Sequence, residues 1–145
     1  MSMKYIIYTD GGSRGNPGPA GVGFVICDEK GEVLKKHGEA IGEATNNEAE
    51  YQALILALKK IKALFGKDKM KTAQIEIRMD SELIINQLSH KYKIEDAKMQ
   101  LLFLQVWNLL IDFGGYDFVS IPREQNSDAD KLVNQALDLR QESLL

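Results

Sequence analysis

The chain has 145 residues, of which 44% are hydrophobic, and its formal net charge at pH 7 is -3. This length and apolar fraction suffice for one sizeable core, so we expect a single domain over residues 1–145. The negative charge argues against a generally basic nucleic-acid binder, although a local site in which cations offset acidic side chains stays open. The single cysteine excludes an intrachain disulfide, and the N-terminal apolar run is too short for a signal sequence or a membrane span. We therefore expect a cytoplasmic protein without a membrane partner.

The first half of the chain predicts three strands followed by a long helix. The first segment is rich in β-branched and aromatic residues and ends at Asp10 and a glycine-rich loop, which is typical of a buried strand that meets a turn. The strands are predicted at residues 4–9, 21–27 and 33–41, and they form an antiparallel meander. From residue 46 to 65 apolar residues recur every three or four positions, which predicts an amphipathic helix with Thr45 or Asn46 as its N-cap.

The second half predicts a charged loop at 66–72, two strands and three helices. The strands are expected at residues 74–79 and 116–121, and the helices from Asp80-Ser81 to about Ser89, at residues 95–113, and from about Ser127 onward. The order βββαβααβα favours the α/β class, with a five-stranded mixed sheet flanked by helices. The helix around Trp107 is apolar almost all round, so we expect core packing, with a dimer contact or a substrate platform as alternatives.

Four acidic residues share a position at a strand end or in the first turns of a helix: Asp10, Glu50, Asp80 and Asp130. Ligand sites gather where strands end at one edge of an α/β sheet, so we expect these carboxylates to cluster. Their mutual repulsion would raise some of their pKa values unless cations lay between them. A set of hard oxygen ligands suits Mg²⁺ or Mn²⁺. Each residue taken alone is equally consistent with a helix cap or a solvated surface acid.

The segments around these four acids are TDGGSRGNPGPAG, TNNEAEYQAL, MDSELI and EQNSDADKL, in that order. Together they resemble the type 1 ribonuclease H family over nearly the whole chain. The resemblance implies a ribonuclease H-like catalytic domain that binds two Mg²⁺ ions per site, with Mn²⁺ as a substitute. It also implies an endonuclease that hydrolyses the RNA strand of an RNA–DNA hybrid and leaves a 5′-phosphate and a 3′-hydroxyl.

The family pattern also decides between neighbouring acids. The pattern Asn-Asn-x-x-Glu selects Glu50 over Glu48 as the second catalytic and metal-binding residue. In the fourth segment, Asn126 followed at the fourth position by an acid selects Asp130, which leaves Asp128 as the expected cap of the last helix.

Substrate contacts are implied by the same resemblance. Asn16, Asn46 and Asn47, together with Glu50, match residues that read ribose 2′-hydroxyls, the group that distinguishes RNA from DNA. Thr45 and Ser81 match hydroxyls near the phosphates, although Thr45 and the two asparagines are also suited to cap a helix. The implied substrate-binding set comprises Gly12, Asn16, Thr45, Asn46, Asn47, Ser81, Asn126, Lys91 and Lys93.

Three features depart from the family pattern. The basic protrusion of many members is replaced by the short join HKYKIEDAK, in which Lys91 and Lys93 are the candidates for a reduced DNA-strand contact. Glu43 stands where a basic residue often precedes the second motif, which weakens the implied phosphate pocket. No histidine lies in the loop before the last motif, where Arg123 is the basic residue available.

Three other functions are weighed against the endonuclease. A 3′-to-5′ exonuclease of the same fold would need an acid where Gly12 stands. A reverse-transcriptase-like domain that binds hybrids with weak or no catalysis is the main alternative, and a structural acidic domain is the third. The expected partner is an RNA–DNA hybrid, and we expect a monomer, with a dimer as the alternative.

Overall fold

The computed structural model describes residues 3–144, so residues 1, 2 and 145 of the predicted domain lie outside the described part. The strands are β1 (Lys4–Ser13), β2 (Gly18–Asp28), β3 (Val33–Ala44), β4 (Gln74–Met79) and β5 (Gly115–Ser120). They form one sheet in the order β3-β2-β1-β4-β5. β1, β2 and β3 are antiparallel neighbours, whereas β1, β4 and β5 run parallel. The predicted mixed sheet and its antiparallel meander are confirmed.

The helices are α1 (Asn46–Phe65), α2 (Lys67–Met70), α3 (Glu82–Leu88), α4 (Ala97–Leu110) and α5 (Ser127–Ser143), and a 3₁₀ turn, Arg123–Asn126, precedes α5. The predicted bounds of α1 are confirmed, and Thr45 is its N-cap, with Oγ1 accepting from the Glu48 N–H. The loop predicted at 66–72 contains the short helix α2. The expectation that Asp128 caps the last helix is wrong, because the N-cap position is Asn126 and Asp128 lies within the first turn of α5.

Alternation along the central strands gives the sheet two buried faces. On one face, side chains such as Ile7 of β1 and Ile26 of β2 belong to the main core with Leu54 and Leu58 of α1. On the other face, Ile6, Val25 and Cys27 form a smaller apolar cluster, against which Leu132 of α5 packs. Period-two alternation therefore places α1 and α5 on opposite sides of the same strands.

β1 continues past Asp10, contrary to the expectation that the strand ends there. Its parallel pairing with β4 stops at Tyr8 opposite Arg78, whereas its antiparallel pairing with β2 continues to Ser13 opposite Ala20. Asp10 therefore lies in the part of β1 that pairs with β2 alone. Because β4 ends at Met79, it does not cover this part of β1, and Asp10 and Asp80 meet at the uncovered edge.

The helix around Trp107, expected to pack in the core because it is apolar almost all round, does so along one side only. Met99, Leu102, Val106 and Leu110 are the buried residues of α4, whereas Trp107 lies on the exposed side of the helix. Among the described residues, no helix has the length and hydrophobicity needed to cross a membrane.

A close backbone approach joins β1 to α1. A Cβ atom at Gly11 would overlap the carbonyl group of Ala49, whereas a Cβ atom at Gly12 would find its nearest neighbour, Oδ1 of Asn46, at 3.8 Å. Only a glycine at position 11 lets the strand lie this near to the first turn of the helix.

We expect Gly11→Ala to lower the free energy of unfolding by about 2 kcal/mol or more, because backbone atoms must shift to admit the methyl group. The matched control Gly12→Ala should change it by less than about 0.5 kcal/mol. Urea denaturation of the metal-free proteins measures both values. Equal losses at the two glycines would contradict the argument from close approach.

Candidate active site

Four structural elements bring the predicted carboxylates into one open cleft of about 470 Å³. Asp10 comes from β1, Glu50 from the first turns of α1, Asp80 from the residue after β4, and Asp130 from the first turn of α5. Asp10, Glu50 and Asp80 each offer a carboxylate oxygen, and these oxygens lie within 4.8 Å of one another. Asp130 lines the same cleft and interacts electrostatically with Asp10. The structure therefore places all four acids predicted from the sequence around one space.

Backbone contacts hold these carboxylates in position. The N–H of Gly11 donates a hydrogen bond of 2.6 Å to Oε1 of Glu50, so β1 directly orients a side chain of α1. Ser81 caps α3 by accepting from the Ile84 N–H at 3.4 Å, which fixes the turn that follows Asp80. Asn134 donates to the backbone carbonyl of Asp130 at 3.1 Å, one turn along α5. Three of the four acids thus lie within a strand or a helix, and Asp80 lies in the capped turn between β4 and α3.

The electrostatics of the cleft favour bound cations. Burial, followed by repulsion from Asp80, raises the pKa of Asp10 to about 7, and Asp130 adds to this effect. Burial and the charge of Asp10 also hold the pKa of Glu50 well above its ordinary value, against the opposing hydrogen bond from the Gly11 amide. A cation between the carboxylates would relieve this repulsion. The ligand atoms of this cluster are all carboxylate oxygens, so the donor set fits a hard divalent ion such as Mg²⁺.

Glu48 faces a different environment from Glu50, although the two are only two positions apart in α1. Its carboxylate pairs with Nζ of Lys98 at 2.9 Å and accepts from Oγ1 of Thr45 at 3.1 Å. The Lys98 ammonium lowers the pKa of Glu48. Glu48 therefore joins the start of α1 to the start of α4 and does not belong to the carboxylate cluster.

Most of the implied substrate-binding residues lie around the same cleft. Gly12, Asn46, Asn47 and Ser81 line it. The Asn46 side chain accepts from the Ser13 N–H at 2.9 Å, and the backbone N–H of Asn46 donates to Oδ1 of Asn16 at 3.0 Å. These bonds attach the glycine-rich loop to the start of α1. Thr45 caps that helix from the neighbouring position.

Of the other implied substrate-binding residues, Asn16 and Thr45 lie beside the cleft without lining it, and three line separate cavities. Asn126 is only 1% exposed, lines a separate cavity of about 190 Å³, and donates to the backbone carbonyl of Thr9 at 2.8 Å. This burial and this bond argue for a structural role, in which Asn126 fixes the start of α5 relative to β1. Lys91 and Lys93 line another groove, between the end of α3 and α4, together with Tyr92.

Two basic residues line the carboxylate cleft. Arg123 was the basic side chain expected near the last motif, and it does line the cleft. Arg14 was missed. It lies in the glycine-rich loop and is paired with Asp138 at 2.7 Å, which directs it toward α5. The available signal was a basic side chain inside the first motif of a chain whose net charge is negative. Asn134, a further lining residue, was also missed, since only the one-turn spacing from Asp130 indicates it.

Comparisons with known proteins agree on the kind of domain. A family model described as reverse transcriptase-like matches residues 8–136. Ribonuclease HI of Halobacterium salinarum is 43% identical over 131 residues, which are 90% of this chain and 63% of that protein. The bifunctional protein Rv2228c of Mycobacterium tuberculosis is 38% identical over 142 residues, which are 97% of this chain and 37% of that protein. This chain therefore spans less than two thirds of the length of either relative.

A solved structure is similar over nearly its whole length. The crystal structure of LC11-RNase H1 in complex with RNA/DNA hybrid has a TM-score of 0.89 and 46% sequence identity, covering 94% of this chain and 99% of that one. LC11-RNase H1 was isolated from compost by a metagenomic approach. The similarity confirms the predicted fold, a five-stranded mixed sheet flanked by helices.

The raised pKa of Asp10 predicts how metal-free stability depends on pH. The folded state binds the Asp10 proton up to about pH 7, whereas the unfolded chain releases it near 3.8, so this group's contribution to stability is full below 3.8 and is lost as the pH rises through 7. Asp10→Asn removes the titrating group. We therefore expect its melting temperature in EDTA to exceed that of the unmodified chain by more at pH 8 than at pH 5.

Thermal unfolding monitored by circular dichroism measures this difference, with Asp128→Asn, which lies outside the carboxylate cleft, as the matched control. Adding Mg²⁺ at pH 8 should raise the melting temperature of the unmodified chain more than that of Asp10→Asn. A difference that is the same at pH 5 and pH 8 would contradict the proposed repulsion.

Proposed function

This chain belongs to the type 1 ribonuclease H family, and we propose that it is an endonuclease that hydrolyses the RNA strand of RNA–DNA hybrids. The single observation that best supports the proposal is the approach of Asp10, Glu50 and Asp80 to within 4.8 Å in an open cleft that Asp130 also lines. The names of its relatives point the same way, since one is a ribonuclease HI and another is an RNase H1 crystallised with an RNA/DNA hybrid.

We propose that Asp10, Glu50, Asp80 and Asp130 would hold two Mg²⁺ ions, replaceable by Mn²⁺. Such a pair would supply an activated water, charge stabilisation in the transition state and a site for the leaving 3′-oxygen. The products would be a 5′-phosphate and a 3′-hydroxyl. Asp10 interacts with each of the other three carboxylates, so it is the residue best placed to serve both ions.

The chain's own residues then position the hybrid. Asn47 is exposed at the start of α1 and lines the cleft, where its amide can bond a ribose 2′-hydroxyl. Gly12 leaves room beside Asn46 for a sugar-phosphate backbone. Arg123 also lines the cleft, where its guanidinium can bond a phosphate.

A catalytically weak hybrid-binding domain is the second candidate, and one observation favours it. Glu43 is exposed and lies in a groove with Arg14 and Arg140. An acid therefore stands where the family often has the basic residue of its phosphate pocket. Lys91 and Lys93 remain candidates for contact with the DNA strand from their separate groove. For either function we propose that the chain acts as a single domain in the cytoplasm.

Activity should depend on a divalent ion and on each member of the carboxylate set. We expect Asp10→Asn to lower kcat by more than about 100-fold, because a charge shared by both metal positions is removed. Glu48→Gln should keep most of the activity, since Glu48 is bonded to Lys98 and Thr45. Cleavage of an end-labelled hybrid, with Mg²⁺ or with EDTA, measures both. A Glu48→Gln protein as inactive as Asp10→Asn would show that the wrong acid has been assigned.

Cleavage should require several consecutive ribonucleotides, because the asparagines near the cleft each contribute one modest contact to a 2′-hydroxyl. A DNA duplex with a single embedded ribonucleotide should be cleaved far more slowly than one with a ribonucleotide run in the same sequence. Gel analysis of the two labelled duplexes tests this. Efficient incision at the isolated ribonucleotide would overturn it.

A further inference from the structure

A set of hydrogen bonds from Arg14 joins the glycine-rich loop to α5. Arg14 is the first residue of this loop, which comprises residues 14–17 between β1 and β2. Its guanidinium donates to three acceptors on α5: Oδ1 of Asp138 at 2.7 Å, Oε1 of Gln141 at 3.1 Å and the backbone carbonyl of Asn134 at 3.4 Å. These acceptors lie 120 to 127 positions away in the chain, so the contact is entirely tertiary. We call these three bonds the Arg14 clamp.

The acceptors of the clamp share one face of α5 with a carboxylate of the cleft. Asp130, Asn134, Asp138 and Gln141 follow one another at spacings of four, four and three, which places them on the same side of the helix. Arg14 and Asn134 line the cleft together with Asp130. The clamp therefore connects the loop to the helix face that carries Asp130, at the wall of the cleft.

The other side of the loop is attached to α1. The Ser13 N–H donates to Oδ1 of Asn46 at 2.9 Å, and the backbone N–H of Asn46 donates to Oδ1 of Asn16 at 3.0 Å. The clamp provides the corresponding attachment to α5. The loop is thus held between the two helices that border the cleft, by one set of bonds on each side.

We propose that Arg14 is a positioning residue for the nucleic acid, which acts through the clamp by holding the glycine-rich loop at a fixed distance from α5. This inference rests on the proposed function, since it assigns a role in substrate binding at the same cleft. A loop that is ordered before the sugar-phosphate backbone arrives loses less conformational entropy when the substrate binds. The clamp therefore strengthens binding and takes no part in the chemistry.

The place of α5 in the fold does not depend on the clamp. Its apolar side packs against the sheet, where Val133 and Leu137 are each 4% exposed. Arg14 and Asp138 are 37% and 61% exposed, and an exposed ion pair contributes little to folding stability. Removing the clamp should therefore release the loop while Asp130 stays in place. A loss of this kind raises KM and leaves kcat nearly unchanged.

The sign of the effect at Asp138 distinguishes the clamp from simple electrostatics. Arg14→Ala removes a positive charge and Asp138→Ala removes a negative charge from a chain whose net charge is -3. On charge alone, the first change should weaken the binding of a polyanion and the second should strengthen it. The clamp predicts that both changes weaken binding, because each removes one end of the same contact.

Steady-state cleavage of an RNA–DNA hybrid tests this prediction. We expect Arg14→Ala and Asp138→Ala each to raise KM about threefold, and the double variant to be no worse than Arg14→Ala. The matched controls, Lys30→Ala and Glu142→Ala, remove the same charges at exposed positions in the β2–β3 turn and one turn further along α5. Neither control should raise KM to this extent. An Asp138→Ala protein whose KM falls, as expected for Glu142→Ala, would overturn the proposal and show that Arg14 acts by its charge alone.

Hydrogen exchange tests the clamp without substrate. In the metal-free protein, the amides of residues 11–18 should exchange faster in Arg14→Ala and in Asp138→Ala than in the unmodified chain, whereas the amides of β4 should not change. Circular dichroism checks that the variants are folded, and the anisotropy of a labelled hybrid measures binding to each of them in an Asp10→Asn background. Unchanged exchange in the loop, with normal hybrid binding by the unmodified loop, would overturn this inference alone. If the Asp10→Asn protein binds no hybrid and the unmodified chain cleaves none, the proposed function fails and the positioning role fails with it.

Discussion

Mutual repulsion among the carboxylates of Asp10, Glu50 and Asp80 is the constraint that the end of the sheet has to accommodate. Their oxygens lie within 4.8 Å of one another in a partly buried cleft. Burial and repulsion hold the pKa values of Asp10 and Glu50 above their ordinary range, so ionising these groups without cations opposes folding. The rest of the fold must supply the free energy that keeps these carboxylates together in the absence of cations.

Local backbone geometry offsets part of this repulsion. The Gly11 amide donates to Glu50, and the absence of a Cβ at Gly11 is what lets the strand come close enough to do so. Asp130 lies in the first turn of α5, where unpaired amides and the helix dipole favour a negative charge. Thr45 completes the cap of α1. The same contacts that form the fold therefore also position the carboxylates of the cleft.

How much the sequence predicts depends on whether a feature is local. The strand at 74–79 was predicted with its observed bounds, and the observed cap, Thr45, was one of the two predicted candidates, because alternation and capping are properties of a few adjacent residues. The exposure of Trp107 was not, because a helix that is apolar all round does not reveal which side faces α1. Asn126 was assigned to the substrate, yet it bonds Thr9, which is 117 positions away in the chain. An asparagine suits both roles, and only the tertiary fold decides between them.

The net charge of -3 conceals an uneven distribution of charge along α1. Residues 59–71 contain six lysines and one aspartate, at the opposite end of α1 from the carboxylate cluster. A helix of this length spans about 30 Å, so within one chain a polyanion is repelled at the metal-free cleft and attracted at the far end. Cations bound at the cleft would remove the repulsion at that end of α1.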